Sequence, residues 1–263
     1  MTSPLWNKRL IFLTGGVLLL VGILVFVLWL PSQYYTPVMA YHSVAPSWHE
    51  PLNNVQAANF EKQMSFLKAR GYKVLTVDQF AEKVRCGKRP VPGEVVVTFD
   101  DGYRNNYTAA YPILMKYGVP ATIFVEVGHL GDPGYLTWDD VRRMDADGIA
   151  IQSHTMTGAY LPGLRQDELL REVAESKRLL EARLGCTVDY IAYPIGGFSE
   201  NIKELVRQAG YKAAFATNRG YDRTGKDIYE VKRIRIKDSD GELQLWLKLS
   251  GYYNLFREKQ KPF

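Results

Sequence analysis

Cysteine is scarce in this 263-residue chain. Cys86 and Cys186 are the only two, which excludes a disulfide scaffold and any C-x-x-C redox or zinc motif. Whether the two pair in an oxidising compartment is not decided by the sequence. A dense basic stripe is also missing: 33 Lys+Arg against 28 Asp+Glu leave a charge of +5, and the excess is spread along the chain. Nucleic-acid binding needs clustered positive charge to displace counterions, so nucleic acid is not an expected partner. No internal repeat or low-complexity segment is evident. What is present is 46% hydrophobic and 23% charged residues with 22 Gly and 13 Pro, a composition that buries a core and is neither disordered nor fibrous.

No acidic residue precedes Glu50, and the only early charges with a partnerless sign are Lys8 and Arg9. From Leu10 to Leu30 the sequence LIFLTGGVLLLVGILVFVLWL has 21 uncharged residues, enough as a helix to cross a hydrocarbon core of about 30 Å. A cleavable signal peptide is the rival reading. Its apolar stretch is usually about 7–15 residues and ends at a small-residue cleavage site, whereas this one ends in Trp29, Leu30 and Pro31. The expectation is an uncleaved single-pass anchor in the cell membrane within residues 1–31. Lys8 and Arg9 keep the short N-terminus in the cytoplasm, which leaves residues 32–263 as one extracytoplasmic domain.

Within that domain a helix-like stretch ends five times at a glycine followed at once by an apolar, β-prone run: Gly71, Gly118, Gly148, Gly185 and Gly210. Glycine in the left-handed position commonly closes a helix. Adding Thr36–Tyr41, Glu94–Phe99 and Tyr229–Ile236 gives about eight strands. Phe60, Met64 and Leu67 recur at helical spacing, as do Leu169, Val173, Leu180 and Leu184. Thr137 with Asp140 reads as a capping box, and Ser199 as an N-cap. Apolar strands separated by helices mean a parallel sheet, and at this length an α/β barrel is favoured over an open sheet.

The chemically capable residues fall just past strand ends: His42, Asp100 with Asp101, His129, His154, Tyr193, and Asn218 with Arg219. In α/β barrels that rim is where active sites are built. The sharpest element is TFDDG, Thr98 to Gly102, where two adjacent carboxylates follow a VVVTF strand. Neighbours on an extended chain point opposite ways, but a turn at the strand end brings both to one pocket. One carboxylate can then bind a metal while the other takes a proton from water; the plainer alternative is an ordinary Asp-Gly turn. His154 is a metal ligand or a hydrogen-bonded loop residue. His42 is a general acid or a histidine capping the rim. Tyr193-Pro194-Ile195-Gly196 reads as a turn, and His49 and His129 as solvated or structural.

TFDDG after one strand, His154-Thr after a later one and the Tyr193-Pro194-x-Gly turn after the next resemble the polysaccharide deacetylases, over about residues 37–236. The early YHSV and the FEKQMSFLKARGYKVLT stretch resemble the extracellular branch that includes poly-N-acetylglucosamine deacetylases of biofilms. The resemblance implies a distorted (β/α)7-type barrel after the transmembrane helix, and metal-dependent removal of acetyl groups from an N-acetylated amino-sugar polysaccharide or peptidoglycan. It implies Asp100 as general base, His42 as general acid and Asp101 and His154 as ligands of a divalent metal, Zn2+ with Co2+ or Ni2+ as alternatives. Tyr193 and Pro194 would line the acetate pocket.

Two positions depart from the family pattern. The second motif usually closes on a histidine, and here that position is Gly158; a catalytic zinc normally has three protein ligands. The arginine that many relatives carry before the third motif's aromatic residue is Ala192. Three readings follow: an active deacetylase whose third ligand is water, His129 or His49; a relative that binds glycan without cleaving it; and an esterase or peptidoglycan-modifying amidase on the same barrel.

Overall fold

The computed structural model describes residues 4–45, 54–217 and 227–255, and the chain divides into two compact units, Met1–Tyr34 and Tyr35–Phe263. The first is a helix, Pro4–Trp29, ending in a 3-10 turn, Leu30–Gln33. Its stretch Thr14–Gln33 has a mean hydropathy of 2.4, and none of it is buried. That is long and apolar enough to cross a membrane.

The second unit contains strands β1 (Val38–Tyr41), β2 (Ser43–Ala45), β3 (Asn54–Gln56), β4 (Lys73–Leu75), β5 (Glu94–Phe99), β6 (Thr122–Val125), β7 (Ala150–Ser153), β8 (Tyr190–Ala192), β9 (Ala213–Ala216), β10 (Val231–Lys232) and β11 (Ile234–Arg235). All the strand pairs are parallel, in the order β10-β9-β8-β7-β6-β5-β1-β11, with β4 added beside β5. The two ends of this path, β10 and β11, are separated in sequence by Arg233 alone. One continuous segment therefore pairs with β9 by its first half and with β1 by its second, which brings the sheet into a nearly closed barrel. The sequence pattern had anticipated one strand there, Tyr229–Ile236; the break at Arg233 is where it changes partners. The small parallel sheet of β2 and β3 carries no glycine signal and was not anticipated.

Both faces of the strands are apolar, as a parallel sheet under helices requires. Val38, Val96, Phe124, Ala192, Phe215 and Val231 fill the barrel interior, while their neighbours Met39, Val97, Ile123, Ile191 and Ala214 face the helices. Gly71, Gly118, Gly148, Gly185 and Gly210 all have positive φ, the conformation that a side chain would strain. The Thr137–Asp140 capping box and the Ser199 cap are formed. Both cysteines are free. Helix Ala57–Ala69 is fastened by Phe60, whose ring meets Tyr41 and Phe99 edge-on at 5.2 and 5.7 Å.

Phe60→Ala is expected to lower unfolding free energy by about 3–5 kcal/mol, read as a shift of the denaturant midpoint of the full chain in detergent.

Candidate active site

The barrel interior ends upward in a pair of phenylalanine rings, Phe124 and Phe215, with centroids 5.3 Å apart. Above them opens a cleft of about 880 Å3 whose lining includes His42, Asp100, Asp101, Glu126, His154 and Arg233. These come from the C-terminal ends of β1, β5, β6 and β7 and from the β10–β11 junction.

Asp101 has a φ of 71°, and this left-handed turn is what lets two consecutive carboxylates face the same cleft. Gly102 follows at φ +79°, and a Cβ there would press on Val125 at 3.0 Å. Asp100 is 2% exposed. Its two oxygens accept from Nη1 and Nη2 of Arg233 at 2.6 and 2.7 Å, and Nη1 also donates to Thr98 Oγ1. The guanidinium lies over the Phe124 ring at 5.4 Å. Burial pushes the Asp100 pKa up, but Arg233, then His154 and His42, outweigh it and hold the carboxyl below its ordinary value. Asp100 is thus an ionised acceptor buried at the floor of the cleft.

His154 is buried, and its Nδ1 lies 2.9 Å from the carbonyl oxygen of Ala192. A carbonyl only accepts, so Nδ1 carries a proton, and Nε2 is turned toward Asp101 Oδ1 at 3.5 Å. Orientation of a ligating imidazole by such a donor is usual at metal sites. Ala192 thus contributes its backbone to the site, and the arginine that meets Asp100 arrives from another strand.

The third group of the cluster is Glu126, at the end of β6. Asp101, Glu126 and His154 each offer a ligand atom, all within 4.8 Å of one another. Gly158 explains the position of Glu126: it has φ +70°, and a Cβ built on it would overlap Glu126 Oε1 and lie 2.6 Å from Cδ. The carboxylate occupies the volume that a side chain at 158 would need. Two zipped loops keep it there, with Val127 N–H donating to Thr155 O and Gly128 N–H to Met156 O. Burial, with the nearby Asp101 charge, raises the Glu126 pKa to about 7 against the opposing pull of His154 and His129. Two carboxylates and an imidazole crowded in this way form a donor set that suits a divalent cation.

His129 is not among the three. Its Nδ1 pairs with Asp132 at 2.9 Å and its Nε2 lies 3.9 Å from Glu126, behind that residue. His49, Asn218 and Arg219 lie outside the described residues. Tyr193 does not reach the cleft: it is fully buried, stacks on Phe198 and donates its hydroxyl to Tyr229 O. Pro194 and Ile195 line the wall instead. His42 lies at the cleft with its carbonyl accepting from Asn106 Nδ2 at 2.8 Å. Burial lowers its pKa, while Asp100 and Asp101 pull the other way.

Glu172 was also missed. It is buried in a π-helical turn, Arg171–Glu175, and accepts from Met156 N–H, Thr157 N–H and the Thr157 hydroxyl, which fixes the loop after His154. Its position inside a helical repeat gave no sign of this. Among the described residues, the three non-glycine residues at positive φ are Asp101, Thr155 and Ile195, one at the rim of each of three strands. Strained backbone concentrates at functional sites.

A parallel barrel with buried acid, imidazole and a ligand cluster at its C-terminal rim has the architecture of a barrel hydrolase. The family model described as polysaccharide deacetylase matches residues 87–214. YxkH of Bacillus subtilis (strain 168), which bears the family's name, is 32% identical over 200 residues, covering 76% of this chain and 71% of its own. The poly-beta-1,6-N-acetyl-D-glucosamine N-deacetylase of Staphylococcus aureus (strain MSSA476) is 27% identical over 199 residues, 70% of this chain and 68% of its own. Among solved structures, the Streptococcus pyogenes deacetylase PplD in complex with acetate superposes with a TM-score of 0.76 at 26% identity, covering 81% of this chain and 97% of that one. IcaB from Ammonifex degensii gives 0.70 at 27%, covering 84% and 97%. The chain belongs to the polysaccharide deacetylase family, hydrolases of N-acetyl carbon–nitrogen bonds.

Removing Arg233 while keeping Asp100 strands a buried charge. Arg233→Met is expected to cost about 3–5 kcal/mol in urea unfolding, and Arg233→Lys, which keeps the charge but loses the two-pronged contact, to cost less.

Proposed function

We propose that this protein is a membrane-anchored, extracytoplasmic, metal-dependent deacetylase that removes N-acetyl groups from an amino-sugar glycan. The observation that carries the reading is the pairing, in one cleft, of an ionised Asp100 clamped by Arg233 with the Asp101–Glu126–His154 cluster beside it. The Staphylococcus aureus relative, named as a poly-beta-1,6-N-acetyl-D-glucosamine N-deacetylase, supports the substrate class. The exposed apolar helix, with Lys8 and Arg9 on its N-terminal side, supports anchoring with the barrel outside the cytoplasm.

Asp101, Glu126 and His154 would hold the divalent cation, with Zn2+ favoured by the mixed carboxylate and imidazole donors. A bound cation supplies Lewis acidity toward the acetamide carbonyl and its attacking water. Asp100 is the general base: the proton leaving the water goes to its carboxylate as the oxygen bonds to the carbonyl carbon. His42 is the general acid and delivers a proton to the sugar nitrogen as the C–N bond breaks, leaving acetate and a free amine. Burial lowers its pKa, which makes the imidazolium, once formed, a stronger donor, while Asp100 and Asp101 partly oppose that lowering. Pro194 and Ile195 form the wall against the acyl group. Gly158 is the position that raises the glycan-binding alternative, and Glu126 beside it supports a donor set of three for the active reading.

The test is bound metal and acetate release measured together on the full chain in detergent with N-acetylglucosamine oligomers. Asp100→Asn should retain metal and lose about 10²–10⁴-fold in turnover, and Glu126→Ala should lose metal and turnover together. Full metal and unchanged turnover in Glu126→Ala would refute its role as ligand.

A further inference from the structure

The segment that closes the barrel carries more positive charge than the acetyl-transfer site uses. Residues 231–237 read VKRIRIK. Ile234 and Ile236 are buried in the outer core, while Arg233, Arg235 and Lys237 line the cleft. Extended chain repeats every two residues, so the three cations lie on one face, rising about 7 Å from each to the next. Ile236 N–H still donates to Ala40 O, which keeps the segment extended to that point. Arg233 is engaged by Asp100. Arg235 and Lys237 are exposed, and among the described residues neither side chain has an acidic partner or a hydrogen-bond acceptor.

The other charges of this outer lobe do not answer them. Asp240 pairs with Lys248, and Asp238 is turned to Gln56 and Asn59. Of the floor carboxylates, Asp100 is matched by Arg233, while Asp101 and Glu126 face the position of the cation beside His154. The lobe above is net positive, with Leu247 and Tyr253 as its adjoining wall.

We propose that Arg235 and Lys237 form an anion subsite next to the deacetylation centre. The glycan would then carry a carboxylate or a phosphate on a sugar close to the one that loses its acetyl group. This deepens the deacetylase reading and rests on it for the position of the reacting sugar.

The experiment uses the full chain in detergent with a neutral N-acetylglucosamine tetramer and with otherwise identical tetramers bearing one carboxylate or one phosphate on a neighbouring sugar. Acetate release gives kcat/KM, and calorimetry on the Asp100→Asn variant gives Kd without turnover. A charged tetramer should be preferred by about 10-fold at low salt, through KM and Kd, and the preference should shrink as salt rises. The larger of the two ratios names the anion. In the double variant Arg235→Gln/Lys237→Gln the charged-to-neutral ratio should fall toward one, and in Arg235→Lys it should persist. A ratio near one in the unmodified chain, or one that survives the double substitution, overturns the subsite, including the case where both tetramers lose equally for structural reasons. If no tetramer releases acetate while the calorimetric preference and its loss remain, the subsite stands and the deacetylase reading falls.

Discussion

A guanidinium with no exposure, set among Phe, Val and Thr side chains, would cost several kcal/mol if it stood alone. Arg233 is in that position because Asp100 meets it with both oxygens. It is also the residue at which one strand ceases to pair with β9 and begins to pair with β1. Barrel closure therefore carries the cation to the acid, and the acid makes it tolerable to bury the cation at the seam. The carboxyl of Asp100 is held below its ordinary pKa by the same contact that completes the sheet, so its orientation is fixed before any substrate arrives. The hydrophobic interior enters through Phe124, which supports the guanidinium from below.

The rim is where the fold departs from comfort. Asp101, Thr155 and Ile195 all sit in the left-handed region, at a cost on the order of 1–3 kcal/mol each, with the β-branched Thr155 and Ile195 more strained by type than Asp101. Each departure has a geometric use. Asp101 turns a second carboxylate into the cleft, Thr155 starts the loop that Glu172 fastens from behind, and Ile195 holds a large apolar side chain 78% exposed at the cleft wall. A core with both strand faces fully covered is what sustains these turns.

Much of this was legible in the sequence. The helix-glycine-strand rhythm located the barrel strands because a left-handed helix end is a local requirement, met within two or three residues. TFDDG and His154 were legible because they follow such strands directly. Arg233 was not, although the alternation of VKRIRIK is a signal: a strand expected to be buried on both faces should not carry a cation at every second position. Partner identity is non-local, and nothing near residue 233 names Asp100. Tyr193 misled for the opposite reason. A tyrosine after a strand looks available, yet the Pro194–Gly196 turn sends its ring into the core against Phe198 and leaves its neighbours at the cleft.

Glu126 shows why a motif read position by position can report a gap where there is none. A ligand site is a volume with a donor atom in it, and the chain can supply that donor from any strand end bordering the volume. Here the β6 and β7 ends border it together, joined by the Val127–Thr155 and Gly128–Met156 hydrogen bonds. With a side chain at 158 there is no room for the Glu126 carboxylate; with glycine there, the carboxylate fits and the left-handed backbone at 158 is unstrained. A side chain at 158 and the Glu126 carboxylate are alternatives in space, so the glycine at one position and the placement of the acid at the other are a single structural feature.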